Sequence, residues 1–317
     1  MSGTARFQRF AWAFLAYLIA VILFGAWVRI SGSGDGCGSH WPTCHGEVIP
    51  PAPETKTIIE FTHRLTSGLC GLFGLVLVGW ARRISRPVFF ASLATLFFLL
   101  VEAFIGAVLV KKQLVAGDAS VSRAVVIALH LTNTMLLTAS AAAAAWWAAP
   151  GGRLRRVSAP QGLLAAALAA LVLTNMSGAI TALGDTLFPI QPAFGGDLLA
   201  KVRSDLSASH HFLVRLRILH PVIAVAAAAL ALGVFWRLLR RDRRPLFRWG
   251  ASLVAAEIVL GVANVWLAAP GWMQLVHLLA AQALWIAVWL TTLEVWPAPA
   301  SPAAVWSRSA ASRQPAA

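Results

Sequence analysis

The chain has 317 residues, of which 59% are hydrophobic and 12% charged, with a mean hydropathy of +0.74. No soluble core needs that much apolar surface, so the class is an all-α polytopic membrane protein. The net charge of +14 raises nucleic acid as a partner, but the basic residues fall in short clusters between apolar runs. That pattern is an orientation signal, and it argues for membrane lipid and no nucleic acid.

Eight spans fit the hydropathy, at about 8–28, 58–81, 87–110, 122–148, 161–183, 212–236, 246–268 and 271–296. The first follows Arg6 and Arg9. It is too long for the apolar part of a signal peptide and lacks a small-residue cleavage site, so it reads as a retained span. Arg82, Arg83 and Arg86 follow span two, Arg153, Arg155 and Arg156 follow span four, and five arginines between Arg237 and Arg244 follow span six. By the positive-inside rule these loops and both termini face the cytoplasm; Lys111 and Lys112 count against the rule and are outnumbered. Trp27, Trp80, Trp236, Trp249 and Trp272 fall near span ends, as an aromatic belt does. Residues 299–317, rich in Ala, Ser and Pro, read as a disordered cytoplasmic tail.

The chain repeats itself. Glu102 to Gly106 in span three matches Glu257 to Gly261 in span seven, and Gly34-Asp35 after span one matches Gly184-Asp185 after span five. His63 pairs with His220 and His130 with His277, each early in its span. The offsets run from 147 to 157 residues, so a duplicated four-helix unit accounts for them: residues 1–152 and 153–298. The expected architecture is two pseudo-symmetric four-helix bundles related by an axis along the membrane normal.

At 1.5 Å per residue the four histidines lie roughly 8–13 Å below the outer surface. One such histidine is ordinarily a packed helix contact; four at one depth in equivalent positions point to a metal centre. Haem fits, with two axial imidazoles per iron from facing helices. Zinc would want Cys or carboxylate companions, and a di-iron site would want Glu-x-x-His twice, where this chain has it once, at Glu60 to His63.

The halves differ chemically. Arg217 stands before His220 where Glu60 stands before His63, so one site has a carboxylate at the iron level and the other has a cation. Arg217 and Arg215 read either as partners of haem propionates or as interfacial snorkelling residues. Glu102 and Glu257 are deep, with no partner evident from neighbouring positions, and read first as interhelical structural groups. Cys70 reads as a small core residue, and His40, His45, His210 and His211 as solvated loop positions. The glycines from Gly32 to Gly38 imitate a nucleotide-binding loop but neither follow a strand nor open a helix. Cys37 and Cys44 share a loop outside the membrane, where they form either a structural staple or an exchangeable thiol pair.

The stretch Gly32-Ser-Gly-Asp-Gly-Cys-Gly-Ser-His-Trp-Pro-Thr-Cys44, followed by Ile59-Glu60-Phe61-Thr62-His63-Arg64, resembles the first outer loop and second helix of bacterial haem A synthases. The histidines, the eight spans and the duplication extend the likeness over nearly the whole membrane part. The resemblance implies a multi-pass enzyme of the bacterial cytoplasmic membrane that oxidises the C8 methyl of haem O to a formyl group, giving haem A for cytochrome oxidase. It implies His63 and His130 as ligands of the substrate haem, His220 and His277 as ligands of a resident haem B, and Glu60 as the acidic residue beside the methyl. Arg64 and Arg217 would meet the propionates, and Cys37 with Cys44 would match the family's first-loop pair. Expected partners are the haem O-producing farnesyltransferase and oxidase assembly factors; a homo-oligomer is compatible with the sequence. Two departures stand out: residues 184–211 hold no second cysteine pair, and Pro221 follows His220 where Arg64 follows His63. The competing reading is a di-haem b-type cytochrome that carries electrons without altering haem.

Overall fold

A computed structural model of the chain describes residues 3–50, 53–149, 161–190 and 198–295. The expected tail at 299–317, and Arg153, Arg155 and Arg156, lie outside the described residues. The described residues form α1 (Gly3–Ile30), α2 (Thr55–Ala81), α3 (Arg86–Lys111), α4 (Val121–Trp147), α5 (Gln161–Leu187), α6 (Leu198–Asp205), α7 (Phe212–Arg215), α8 (Leu219–Leu239), α9 (Pro245–Trp266) and α10 (Gly271–Val295). A single 3₁₀ turn, Leu216–Ile218, joins α7 to α8, so residues 212–239 act as one span.

Eight helices are therefore long and apolar enough to cross a membrane, at the eight places the hydropathy indicates and within five residues of each expected boundary. The largest shift is at α1, which starts at Gly3 because Arg6 and Arg9 continue the helix past its apolar stretch. Local signals set several starts. Ser85 caps α3 with Pro87 in the first turn, and Ser120 accepts from the Arg123 amide 3.1 Å away at the start of α4. Pro221 explains the 3₁₀ turn: it has no N–H for the carbonyl four residues back, so the helix tightens just before His220.

The first four spans close a ring, α1 on α2, α2 on α3, α3 on α4 and α4 on α1; α5, α8, α9 and α10 close a second ring in the same order. The rings meet where α4, on α5 and α10, and α10, on α4 and α1, cross between them; these are the two most buried spans. The alanine run in α4 makes this possible. Ala141 to Ala145 are all at most 2% exposed, and such small side chains let a neighbouring helix approach the backbone. Two tryptophans one turn apart use that approach: Trp285 Nε1 donates to the Met135 carbonyl at 2.9 Å, and Trp289 Nε1 donates to that of Ala139 at 2.8 Å. In contrast, α3 and α9 present Phe97, Leu100, Phe104, Val259, Val262 and Trp266 outward, as lipid-facing helices do.

The apolar core fills the end of the bundle away from loop 31–54. It includes Phe7, Leu77, Leu164, Phe235, Phe247 and Trp285, drawn from both rings. The loop-side end holds a cavity instead. Replacing Trp285 by Phe removes both its donor and part of its buried volume, so we expect a loss of at least roughly 0.6 kcal/mol in the resistance of detergent-solubilised protein to unfolding. An unchanged unfolding midpoint would show that Trp285 does not hold α4 to α10.

Candidate functional site: a four-histidine cavity

A cavity of about 2560 Å³ opens in the loop-side half of the bundle and spans both rings. Drug-sized ligands occupy pockets of about 300–1,000 Å³, so this space is large enough for more than one such molecule. His63, His130, His220 and His277 all line it, together with Glu60, Arg64 and Arg217. Every site residue expected from the sequence, apart from the cysteine pair, thus reaches one compartment.

The second ring places its imidazoles as a pair. The His220 and His277 ring centroids are 6.3 Å apart with planes 73° from parallel. That is close to the span of one metal ion with two metal–nitrogen bonds of about 2 Å, so the pair fits the axial ligation of haem. His220 Nδ1 lies 3.1 Å from the Thr174 carbonyl and 3.2 Å from Ser177 Oγ, both on α5. Gly178 is what lets the ring sit there, because a Cβ at that position would be 2.9 Å from His220 Cε1. His277 Nδ1 lies 3.3 Å from Glu257 Oε2.

The first ring repeats part of this. His130 Nδ1 is 3.5 Å from Glu102 Oε1, whose carboxylate also accepts from Asn133 Nδ2 and, at 2.5 Å, from Thr134 Oγ1. His63 packs on Gly25, where a Cβ would fall 3.0 Å from its Cε1, and Phe24 meets it edge-on at 5.5 Å. Its Nδ1 is buried without a hydrogen-bond partner among the described residues. Glu102 and Glu257 are therefore interhelical groups, as the sequence suggests, and they lie beside the histidines on α4 and α10. The signal was present in the matching Glu102–Gly106 and Glu257–Gly261 stretches. The separation from Glu to His differs between the halves because the intervening loops differ in length. Both contacts are at ion-pair distance and neither Nδ1 makes a hydrogen bond among the described residues; the carboxylates face Nδ1 and leave Nε2 for a ligand. Among the described residues no third metal-binding side chain joins either pair.

Glu60 sits on the cavity wall, 3% exposed, and its two oxygens are held from different elements. Oε1 accepts from Arg64 Nε at 3.1 Å and from Arg64 Nη2; Oε2 accepts from the Cys37 amide at 2.8 Å. Arg64 Nη1 in turn donates to the carbonyls of His40 and Thr43. Cys37 and Cys44 are joined as a disulfide, both fully buried. Thr57 Oγ1 and His45 Nε2 hold the Gly36 carbonyl at 2.7 and 2.9 Å, and a Cβ on Gly36 would be 2.3 Å from the Lys56 carbonyl oxygen. Only glycine allows that approach, so the loop docks on α2 by backbone contact.

Arg217 is not a snorkelling residue. It is 8% exposed, with Nε 2.7 Å from Asp185 Oδ1, Nη1 3.7 Å from Asp205 Oδ1 and Nη2 donating to the carbonyls of Gly184 and Phe188. Burial pushes the Asp205 carboxyl up from its ordinary value, with Arg217 opposing. Arg29, which the sequence reading passed over, leaves α1 to donate to the Ala182 carbonyl at 2.7 Å, to Thr186 Oγ1, and to Gln274 Oε1 at 3.0 Å. It therefore ties α1 to α5 and α10. Cys70 is buried and His40, His45 and His210 are exposed, as expected. His211 is not a solvated loop residue: it stacks on Phe188 at 4.8 Å and accepts from the Leu213 amide, capping α7.

The fold and site define a polytopic helical membrane protein with four histidines lining one cavity, two of them 6.3 Å apart. The sequence matches the COX15-CtaA family, described as cytochrome oxidase assembly protein, over residues 8–289, and the chain belongs to that family. Protoheme IX farnesyltransferase of Thermus thermophilus is 46% identical over 291 residues, covering 89% of this chain and 47% of that protein. Heme A synthase of Alkalihalophilus pseudofirmus is 52% identical over 64 residues, or 20% of this chain and 22% of its own. Heme A synthase of Halalkalibacterium halodurans is 40% identical over 93 residues, or 28% and 31%. The chain spans about half the length of the Thermus relative and aligns with less than a third of these two synthases.

The Glu60 carboxylate joins α2 to the loop amide at Cys37. Glu60→Ala should therefore loosen the loop and speed reduction of Cys37–Cys44 by a water-soluble phosphine, read by thiol alkylation. Equal rates in the variant and the parent would show that the loop is held without Glu60.

Proposed function

We propose that the protein is a haem A synthase, oxidising the C8 methyl of haem O to a formyl group. The observation that carries this reading is Glu60: a carboxylate fixed on the wall beside one histidine pair, with Arg217 at the matching place beside the other. An electron carrier would have no use for that difference. In this reading residues 1–152 hold haem O between His63 and His130, and residues 153–298 hold haem B between His220 and His277. When bound, haem B supplies a one-electron relay.

Each oxidation converts C–H and water into C–OH, releasing two protons and passing two electrons, one at a time, to an external electron acceptor of the membrane. The first gives an alcohol; the second gives a geminal diol that loses water to the aldehyde. Because electrons leave through the second site, the oxygen comes from water. Glu60 takes a proton from the reacting centre or stabilises positive charge developing at the carbon. Arg64 and the Cys37 amide keep its oxygens in place for that role, while Glu102 and Glu257 hold the facing imidazoles in orientation.

The arginines at 82–86 and 240–244 lie at the end opposite the cavity, so the positive-inside rule puts that end and both termini in the cytoplasm. The disulfide loop then faces an oxidising compartment. The Thermus relative is named for haem farnesylation and is about twice as long as the segment it shares with this chain. A protein carrying both segments would pass farnesylated haem from one to the other. We therefore assign a haem O-producing farnesyltransferase, and oxidase assembly factors, as partners.

The matching Glu102–His130 and Glu257–His277 contacts support a second reading, a di-haem cytochrome that treats both sites alike. Mass spectrometry of haems extracted from protein expressed in a host supplied with haem O separates the two. We expect haem A or its hydroxylated precursor, lost in His63→Ala. In Glu60→Gln we expect retention of haem B and a fall in product of at least about a hundredfold. Two haem B per chain with haem O untouched would establish the electron carrier, and full activity in Glu60→Gln would remove Glu60 from the chemistry.

A further inference from the structure

Four arginines line the loop-side end of the cavity: Arg29, Arg64, Arg123 and Arg217. Two are already neutralised by carboxylates, Arg64 by Glu60 and Arg217 by Asp185 and Asp205. Arg64, expected from the sequence to meet a propionate, has Nε, Nη1 and Nη2 all engaged by Glu60 and two loop carbonyls. The other two differ. Arg29 donates only to a carbonyl, a hydroxyl and an amide oxygen. Arg123 donates only to the carbonyls of Ala116 and Asp118, at 2.7 and 2.6 Å. Among the described residues neither has a carboxylate within ion-pair distance. Arg123 is 4% exposed, and its Nε is buried with no partner. Asp185 and Asp118 offset Arg29 and Arg123 only from beyond ion-pair distance, and Arg123 repels Arg29, so both buried guanidinium groups are incompletely neutralised, which is costly.

Their placement along the helices says what would offset it. Arg29 is one turn from Gly25, the residue on which His63 packs, so both lie on one face of α1. Arg123 is two turns from His130 on one face of α4. Both arginines are displaced from the first histidine pair toward the loop end, by about 6 and 10 Å along their helices. Haem carries its two propionates on one edge, so a haem held between His63 and His130 with that edge toward the loops would bring a dianion to the two unpaired cations.

We propose that Arg29 and Arg123 form the carboxylate-binding end of the first-half site and receive the propionates of haem O, in place of Arg64. This rests on the reading of that half as a haem O site. The guanidinium fork suits a carboxylate in two-point contact, and such charge-assisted bonds are the stronger kind.

The test uses the whole chain, purified with one haem B, titrated with haem O and with its propionate dimethyl ester. In the parent protein the ester should bind about tenfold or more weakly, the factor lost with one charge-assisted hydrogen bond. In Arg29→Gln and in Arg123→Gln the free acid should lose about half of its logarithmic advantage over the ester, each variant removing one of two contacts, while the ester's own affinity stays within about twofold. Retention of one haem B per chain reports that each variant is folded, and the comparison of acid with ester in the parent needs no variant. Equal binding of acid and ester by the parent, or variants that weaken both alike, would overturn the proposal. Haem O that binds and is oxidised without discrimination against the ester sinks this inference alone; haem O that does not bind sinks the functional reading with it.

Discussion

A histidine inside a membrane protein has no water to orient it, so a neighbouring helix must do so. The cavity depends on this constraint. His220 is turned by a carbonyl and a hydroxyl on α5, and His277 and His130 by carboxylates on α9 and α3. In each case the ring nitrogen nearer the backbone faces protein, which leaves the other for a ligand. The glycines under His63 and His220 serve the same end, since a side chain there would occupy the ring's place. Helix order follows from this. A histidine on one helix needs its orienting group on the next, and the two closed rings supply that neighbour for each.

His63 differs from the other three in having neither a hydrogen bond nor a carboxylate at ion-pair distance at Nδ1. Its Nδ1 has no partner, because the positions on α1 that correspond to Thr174 and Ser177 hold Val21 and Phe24. The residues around it depart from the second ring in charge as well. Glu60 replaces Arg217, Arg64 replaces Pro221, and Arg29 and Arg123 have no cationic counterpart at the matching places. The two rings thus share the placement of their histidines, while the charge around them changes sign. The second copy neutralises its one buried cation with Asp185 and Asp205 and is closed on itself. The first keeps two cations on the cavity wall, Arg29 and Arg123, with no carboxylate within ion-pair distance among the described residues.

Much of this was legible in the chain. Span positions follow from composition alone, because a bilayer sets the length of an apolar helix and arginine clusters end it. The four histidines stood out by depth and by recurrence. What could not be read were contacts between helices far apart in sequence. Glu102 and His130 are on adjacent helices separated by a loop, so no fixed spacing marks them as partners. Arg29 carried no signal in the sequence, yet it bridges to residues 182, 186 and 274. Arg64 looked free to meet a ligand, and the loop carbonyls of His40 and Thr43 that occupy it belong to a segment with no regular structure to predict. His211 looked like loop and is a cap, since its ring finds Phe188 across the turn.

The disulfide loop is where sequence left two readings level, and the structure weighs them differently. Exchange needs a thiolate to reach a sulfur, and both Cys37 and Cys44 are fully buried. The amide of Cys37 is itself one of the groups that fixes Glu60, and Gly36 next to it touches the backbone of α2. Opening the bridge would therefore do more than expose two thiols: it would free the amide that positions the carboxylate on the cavity wall. A staple that holds an acidic group at a membrane cavity needs no electron transfer to matter. Any redox event at this pair would be felt first as a displacement of Glu60.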